Sequence, residues 1–270
     1  MTTLTINNLT VARGTRPLSR DLSFVVAPGD YWAILGPNGC GKTTLLHTLC
    51  GQMAAAKGQL LLDDQPIASL STRHIAQQIG ILFQDSSHHF PQTVREYCLD
   101  ARFPHHALFS AHRHSSADIK IMQRILEALQ LSALADKNIQ HLSGGEQRRV
   151  AIAALLIQAP AIYMLDEPVN HLDLHHQTLA MNLLAAESER HAVIMTLHDI
   201  NLAARYCNKL LLLFPDGTTC HGTCEEMLTA EQLSKLYQHP IDVIRHGDQT
   251  YWLPKRTPLA KKEPPWEYVY

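Results

Sequence analysis

A chain of 270 residues, 46% of them hydrophobic, is enough for one large α/β unit with an inserted lobe and a core that needs no covalent staples. A formal net charge of -2 leaves no broad cationic surface for a phosphate backbone, so nucleic acid is excluded as an expected partner. The six cysteines (Cys40, Cys50, Cys98, Cys207, Cys220 and Cys224) follow no paired spacing, as expected of a chain kept in a reducing compartment.

The opening MTTLTINNLT has neither the basic head nor the apolar segment of a secretory signal. Apolar runs at 150–157 and 210–214 fall far short of the ~20 residues that span a bilayer, so any membrane role is expected to come through docking on another chain. Short β-rich runs predict strands over 4–6, 23–26 and 31–35, the last leading into a glycine-rich turn and a helix over 43–49. Strands are predicted at 59–62 and 79–83. From Asp85 to about Leu156 the pattern turns helical, with helices over 93–101, 118–129 and 146–157 and a cap at 115–118. Strand signals return at 161–165, 193–197 and 209–214 between helical stretches, the rhythm of a buried parallel sheet. The proline- and lysine-rich segment from Leu253 predicts a loosely packed extension.

The chemistry is concentrated in three places. Residues 36–43, GPNGCGKT, match G-x-x-x-x-G-K-[ST] between a strand and a helix, the context in which backbone N–H groups wrap phosphates. Lys42 is expected to neutralise β- and γ-phosphate oxygens and Thr43 to ligate Mg²⁺, while the helix N-terminus adds the positive end of its dipole. The strand ending at Asp166 places one carboxylate to hold Mg²⁺ through water, and Glu167 beside it to polarise an attacking water. Residues 142–146, LSGGE, set Ser143 and two glycine N–H groups at another helix N-terminus. Two anion cradles in one chain point to a head-to-tail homodimer.

Together these motifs resemble the ABC ATPase family over residues 2–245. The resemblance implies an α/β fold, a RecA-like P-loop core joined to an antiparallel β subdomain, with an inserted α-helical subdomain. It divides the chain into a nucleotide-binding core (1–86 and 156–245), a helical signature subdomain (87–155) and a C-terminal extension (246–270). By resemblance, ATP is held by Gly36, Pro37, Asn38, Gly39, Cys40, Gly41, Lys42, Thr43 and Thr44 of one subunit and by Ser143, Gly144, Gly145 and Glu146 of the other. Gln84 matches the glutamine that senses Mg²⁺ and the water, residues 170–173 match the D-loop, and His198 matches the histidine that contacts the γ-phosphate. Thr43, Gln84 and Asp166 form the implied Mg²⁺ set, and Glu167, His198 and Gln84 the implied catalytic set.

Departures from the family pattern carry their own expectations. Glu146 stands where the family most often has Gln, and a carboxylate is tolerated near a helix N-terminus. Arg13 falls where the family usually has Tyr; its guanidinium plane either stacks on adenine or is solvated loop surface. Cys40, close to Lys42 and a helix N-terminus, is expected to have a lowered pKa, with redox inhibition as the consequence. His88, His89, His105, His106, His112 and His114 gather in the insertion without a tetrahedral spacing, so solvated loop histidines outweigh a metal sensor.

The stretches at 93–105, 172–177 and 197–213 resemble cassettes that serve importers of iron-siderophores, haem and vitamin B12. That likeness implies a subunit at the cytoplasmic face of the inner membrane, integral membrane permease partners and a periplasmic substrate-binding protein. A soluble ABC ATPase of repair, translation or cofactor assembly is the alternative class. Gln84 and Leu142 lie too close together to hold a repair protein's coiled-coil arm, and a kinase would leave LSGGE and His198 without a role.

Overall fold

The computed structural model describes residues 1–14, 16–84, 91–106 and 114–256. Chain order begins with strands β1 (Leu4–Arg13), β2 (Arg16–Val26) and β3 (Tyr31–Leu35), helix α1 (Lys42–Leu49), strands β4 (Lys57–Leu62) and β5 (Gln65–Pro66), helix α2 (Thr72–Gln78) and strand β6 (Ile79–Leu82). Helices α3 (Val94–Asp100), α4 (Ser116–Ala128) and α5 (Gly144–Gln158) follow, then β7 (Ile162–Asp166), α6 (Leu174–Ser188), β8 (Ala192–Thr196), α7 (Ile200–Tyr206) and β9 (Lys209–Leu213). The described chain closes with β10 (Thr219–Thr223), α8 (Cys224–Met227), α9 (Ala230–Tyr237) and the hairpin β11 (Ile241–His246) and β12 (Gln249–Pro254).

The central sheet runs β10-β9-β3-β8-β7-β6, parallel except for its edge strand β10. Its inner strands read as unbroken apolar runs, such as YWAIL and AVIMT, because both faces are covered. Alternate residues nevertheless go to different cores. Tyr31, Ala33 and Leu35 pack with the helical lobe and α6, while Trp32 and Ile34 pack with α1 and the antiparallel sheet.

That second sheet, in the order β2-β1-β4-β5, is longer than its sequence pattern predicts. In β1 the buried positions change parity, from Leu4 and Ile6 to Leu9 and Val11. The change is made by a bulge at Asn8, whose φ of 47° shifts the pairing from Ile6–Phe24 to Leu9–Leu22. A period-two reading stops at that bulge, which is why only residues 4–6 and 23–26 stand out as strand.

Helix α5 joins the lobe to the core. Residues 148–157 of it are buried without a polar side, as in a helix enclosed by protein. Its far end stops at Ala159, in the left-handed region with φ 51°. Helix α2, absent from the sequence expectation, is capped by Ser71, which accepts from the His74 amide. The β11–β12 hairpin carries the chain across residue 246, so the C-terminal extension begins as hydrogen-bonded strand. Trp252 ties the hairpin to α7, its amide donating to Asn201 at 2.9 Å. The rest of the predicted loose tail, residues 257–270, lies outside the described residues, as do Asp85, His88, His89 and His112. Among the described residues no helix is long and apolar enough to cross a membrane.

Candidate nucleotide site

The C-terminal ends of β3, β6, β7 and β8 bring the predicted residues to one cavity of about 500 Å³. It is lined by Asn38, Gly39, Gly41, Lys42, Thr43 and Thr44 of the loop after β3, by Gln84 after β6, by Glu167 and Asn170 after β7 and by His198 after β8. Arg13 and Leu18, from the β1–β2 ribbon, complete the wall with a planar cation and an apolar side chain.

Two glycines shape the loop by what they exclude. A Cβ on Gly36 would stand 2.5 Å from the Leu213 carbonyl oxygen, so no other residue lets the loop leave β3 so close to β9. Gly41 has φ 110° and would press a Cβ to 2.9 Å from Leu18. It is also the N-cap of α1 and offers no side-chain acceptor, and the first turn of α1 holds no acidic residue. The amides of that turn and the positive end of the helix therefore remain for an anion. Lys42 Nζ donates to the carbonyls of Gly36 at 2.8 Å and Pro37 at 3.2 Å, which holds the ammonium folded over the loop.

Asp166 ends β7 fully buried, behind the cavity wall. Its Oδ1 accepts from Thr196 Oγ1 at 2.6 Å, whereas Oδ2 is buried with no partner among the described residues. A buried carboxylate oxygen left bare costs several kcal/mol unless a cation or water faces it. With the exposed hydroxyl of Thr43 and the carboxamide of Gln84, it makes a set of oxygen donors that fits a hard divalent cation.

Glu167 adopts φ 49°, unusual for a residue with a long side chain. Its amide donates to Thr196 Oγ1 at 2.8 Å and its carbonyl accepts from Arg148 at 2.7 Å, so the strained backbone is held from both sides. The carboxylate is clamped as well: Oε2 accepts from Asn170 Nδ2 and Oε1 meets His198 Nε2. Sequence pattern alone assigns neither Thr196 nor Arg148 to the site. The signal for Thr196 is a hydroxyl closing an apolar strand, in register with Asp166 on the neighbouring strand. For Arg148 it is one of two adjacent guanidinium groups at the head of an apolar helical run.

The LSGGE residues are not on this cavity. Ser143 caps α5 in a closed capping box: its hydroxyl donates to Glu146 Oε2 at 2.9 Å, and its oxygen accepts from the Glu146 amide at 3.3 Å. Hydrogen bonds from the Ser143 amide and hydroxyl hold the Glu146 carboxyl below its usual range. A Cβ on Gly144 would meet open space, while one on Gly145 would stand 3.2 Å from the carbonyl of His171, between β7 and α6.

One expectation is corrected. Cys40 is buried, and burial raises its thiol pKa against the smaller lowering effect of Lys42. It is not an activated thiolate, and the basis for redox inhibition at this residue is lost. Of the described insertion histidines, His105 Nε2 lies 2.8 Å from the Gln158 carbonyl, His106 Nε2 lies 3.1 Å from Asp118 Oδ2, and the His114 ring packs against that of His106 at 5.6 Å. Among the described residues no group of three or more His, Cys, Asp and Glu side chains could hold a metal ion.

A largely parallel sheet with a glycine loop after β3, and two carboxylates at the end of β7 two strands away, defines a P-loop ATPase. The ABC transporter family model matches residues 19–170. Ferric enterobactin transport ATP-binding protein FepC of Escherichia coli K12 is 33% identical over 95% of this chain and 94% of its own length. Hemin import ATP-binding protein HmuV of Plesiomonas shigelloides is 36% identical over 90% of this chain and 97% of its own length. Among solved structures, a metal-chelate type ABC transporter in an inward-facing conformation superposes with a TM-score of 0.80 at 28% identity, covering 96% of this chain and 100% of the other. The chain belongs to the ABC transporter family, as an ATP-binding and ATP-hydrolysing subunit.

Proposed function

We propose that two copies of this chain close head to tail over two ATP molecules, and that closing and reopening drive a permease that imports an iron chelate or haem. The observation that carries the reading is Glu167, strained, clamped by Asn170 and His198, and placed on the same cavity as the phosphate loop. In this reading Glu167 takes a proton from the attacking water while the water oxygen bonds to the γ-phosphorus and ADP leaves. Gln84 orients that water and His198 donates to the γ-phosphate. Lys42 and the α1 amides hold the β- and γ-phosphates, and Arg13 stacks on adenine. Thr43, Gln84 and Asp166 hold Mg²⁺, which when bound neutralises charge on the phosphate oxygens.

Ser143, Gly144, Gly145 and Glu146 complete the ATP site of the partner subunit. Their place off the cavity of their own chain supports a role in trans. The core of 1–86 and 156–245 then binds nucleotide while the lobe of 87–155 moves. A second cavity of about 380 Å³, with Ile81, Phe83, Tyr97 and Leu155 in its lining, begins one residue before Gln84. It supports docking of an integral membrane permease at a point mechanically close to the water-sensing glutamine. The chain would then sit on the cytoplasmic face of the inner membrane, peripheral, with a periplasmic binding protein delivering cargo to the permease. The names of the two relatives favour an iron chelate or haem as that cargo. Cobalamin is the alternative, supported by the segment likenesses at 93–105, 172–177 and 197–213.

The test is hydrolysis by Glu167→Gln. The reading expects a rate at least ~10²-fold lower with ATP affinity retained. A variant that hydrolyses at the wild-type rate would remove Glu167 as the base.

A further inference from the structure

Gln84 and Glu167 sit where the sheet no longer holds its strands together. The last paired residues of β6 and β7 are Leu82 and Leu165, and Gln84 and Glu167 each follow two positions later. Across this opening reaches the guanidinium of Arg148. It donates to the carbonyls of Phe83 at 2.6 Å and Gln84 at 3.3 Å on one strand end. On the other it donates to those of Asp166, Glu167 at 2.7 Å and Pro168 at 3.0 Å. Arg148 is 9% exposed and lies in the second turn of α5, the helix that Ser143 caps.

We propose that Arg148 is a positioning residue for ATP hydrolysis, which fixes the spacing between Gln84 and Glu167 and ties both to the helix that begins at the LSGGE motif. The inference rests on the reading that Gln84 and Glu167 act on the attacking water. Its physical basis is the shape of the group. Carbonyl dipoles converge here from two strand ends, and a planar cation with five N–H donors can bond to both ends at once. A lysine ammonium is a single point and reaches one end or the other. Arg149, the next residue, turns the other way and donates to the Leu129 carbonyl at 2.9 Å, so the link to the site belongs to position 148 in particular.

The experiment measures kcat, ATP Kd and the fraction of protein that binds ATP for Arg148→Lys, Arg148→Ala and Glu167→Gln in the full-length protein. Arg148→Lys is expected to lower kcat roughly 10- to 100-fold, the cost of misplacing a reacting group by about 1 Å, with ATP Kd within about twofold of wild type. Arg148→Ala should fall further, and if it fails to fold the lysine variant decides. A wild-type kcat in Arg148→Lys overturns the proposal. So does a loss of rate that matches the loss of ATP-binding molecules, because a purely structural role removes active protein instead of slowing it. If Glu167→Gln keeps the wild-type rate, the failure lies in the reading of Glu167 and not in the bridge.

Discussion

Thr196 and Asp166 are paired across β8 and β7, and the Thr196 hydroxyl spends its one proton on Asp166 Oδ1 at 2.6 Å. The same oxygen accepts the Glu167 amide at 2.8 Å, so one side chain aims the buried carboxylate and stabilises the left-handed turn after it. Thr196→Val keeps the shape and removes both bonds. It is expected to destabilise the fold by about 1–3 kcal/mol, the usual cost of orphaning a buried polar group. Turnover should fall roughly tenfold or more as Glu167 loses its fixed position. Denaturant titration and steady-state ATPase assays check both effects, and Thr196→Ser should recover most of each.

Arg13 forms part of the cavity wall beside Leu18. If its guanidinium stacks on adenine, Arg13→Ala should weaken ATP binding by about 3- to 10-fold, in line with a half-exposed cation–π contact, and Arg13→Tyr should restore it. Calorimetry with a non-hydrolysable analogue gives the answer. An unchanged Kd in the alanine variant returns Arg13 to solvated surface.

Cys40 lies in the phosphate loop but is buried, with its thiol pKa raised. ATPase activity is therefore expected to survive peroxide at neutral pH. Cys40 should also alkylate far more slowly than a free thiol, as mass spectrometry of the loop peptide can follow. Rapid labelling at pH 7 would contradict the burial argument.

Asp118 anchors the helical lobe. Burial alone would raise its carboxyl, but donors from Ser115, Arg102 and His106 outweigh that effect and hold it well below the usual range. Because the folded state binds the proton more weakly, this stability is present above the ordinary carboxylate pKa of ~4 and drains away as pH falls through the lowered value. Asp118→Asn should cost about 3 kcal/mol at pH 7, since it leaves a mostly buried Arg102 without its charge partner 2.9 Å away. The variant should also lose part of the wild-type dependence of stability on pH below 4.

What could be read from sequence follows from what is local. The strand, glycine loop and helix around residues 31–49 are contiguous, and their spacing alone fixes the phosphate site. Asp166 and Glu167 are legible because a strand end must face that loop. The bulge at Asn8 breaks the alternation on which a strand pattern depends, so most of β1 and β2 carries no period-two signal. The roles of Thr196 and Arg148 exist only across β8–β7 and α5–β6–β7 contacts, which no local pattern carries. Cys40 differs from its expectation for a similar reason: the nearby Lys42 is visible in sequence, whereas the buried apolar cluster that takes in the thiol is not.

A double variant tests directly whether Ser143 serves ATP bound to the other subunit. With Glu167→Gln as background, ATP should shift the protein from monomer to dimer in sedimentation. Adding Ser143→Arg should abolish the shift while each monomer binds ATP with an unchanged Kd. If the Ser143→Arg protein still dimerises with ATP, or if its monomer loses ATP affinity, the LSGGE motif does not act in trans and the head-to-tail motor is contradicted.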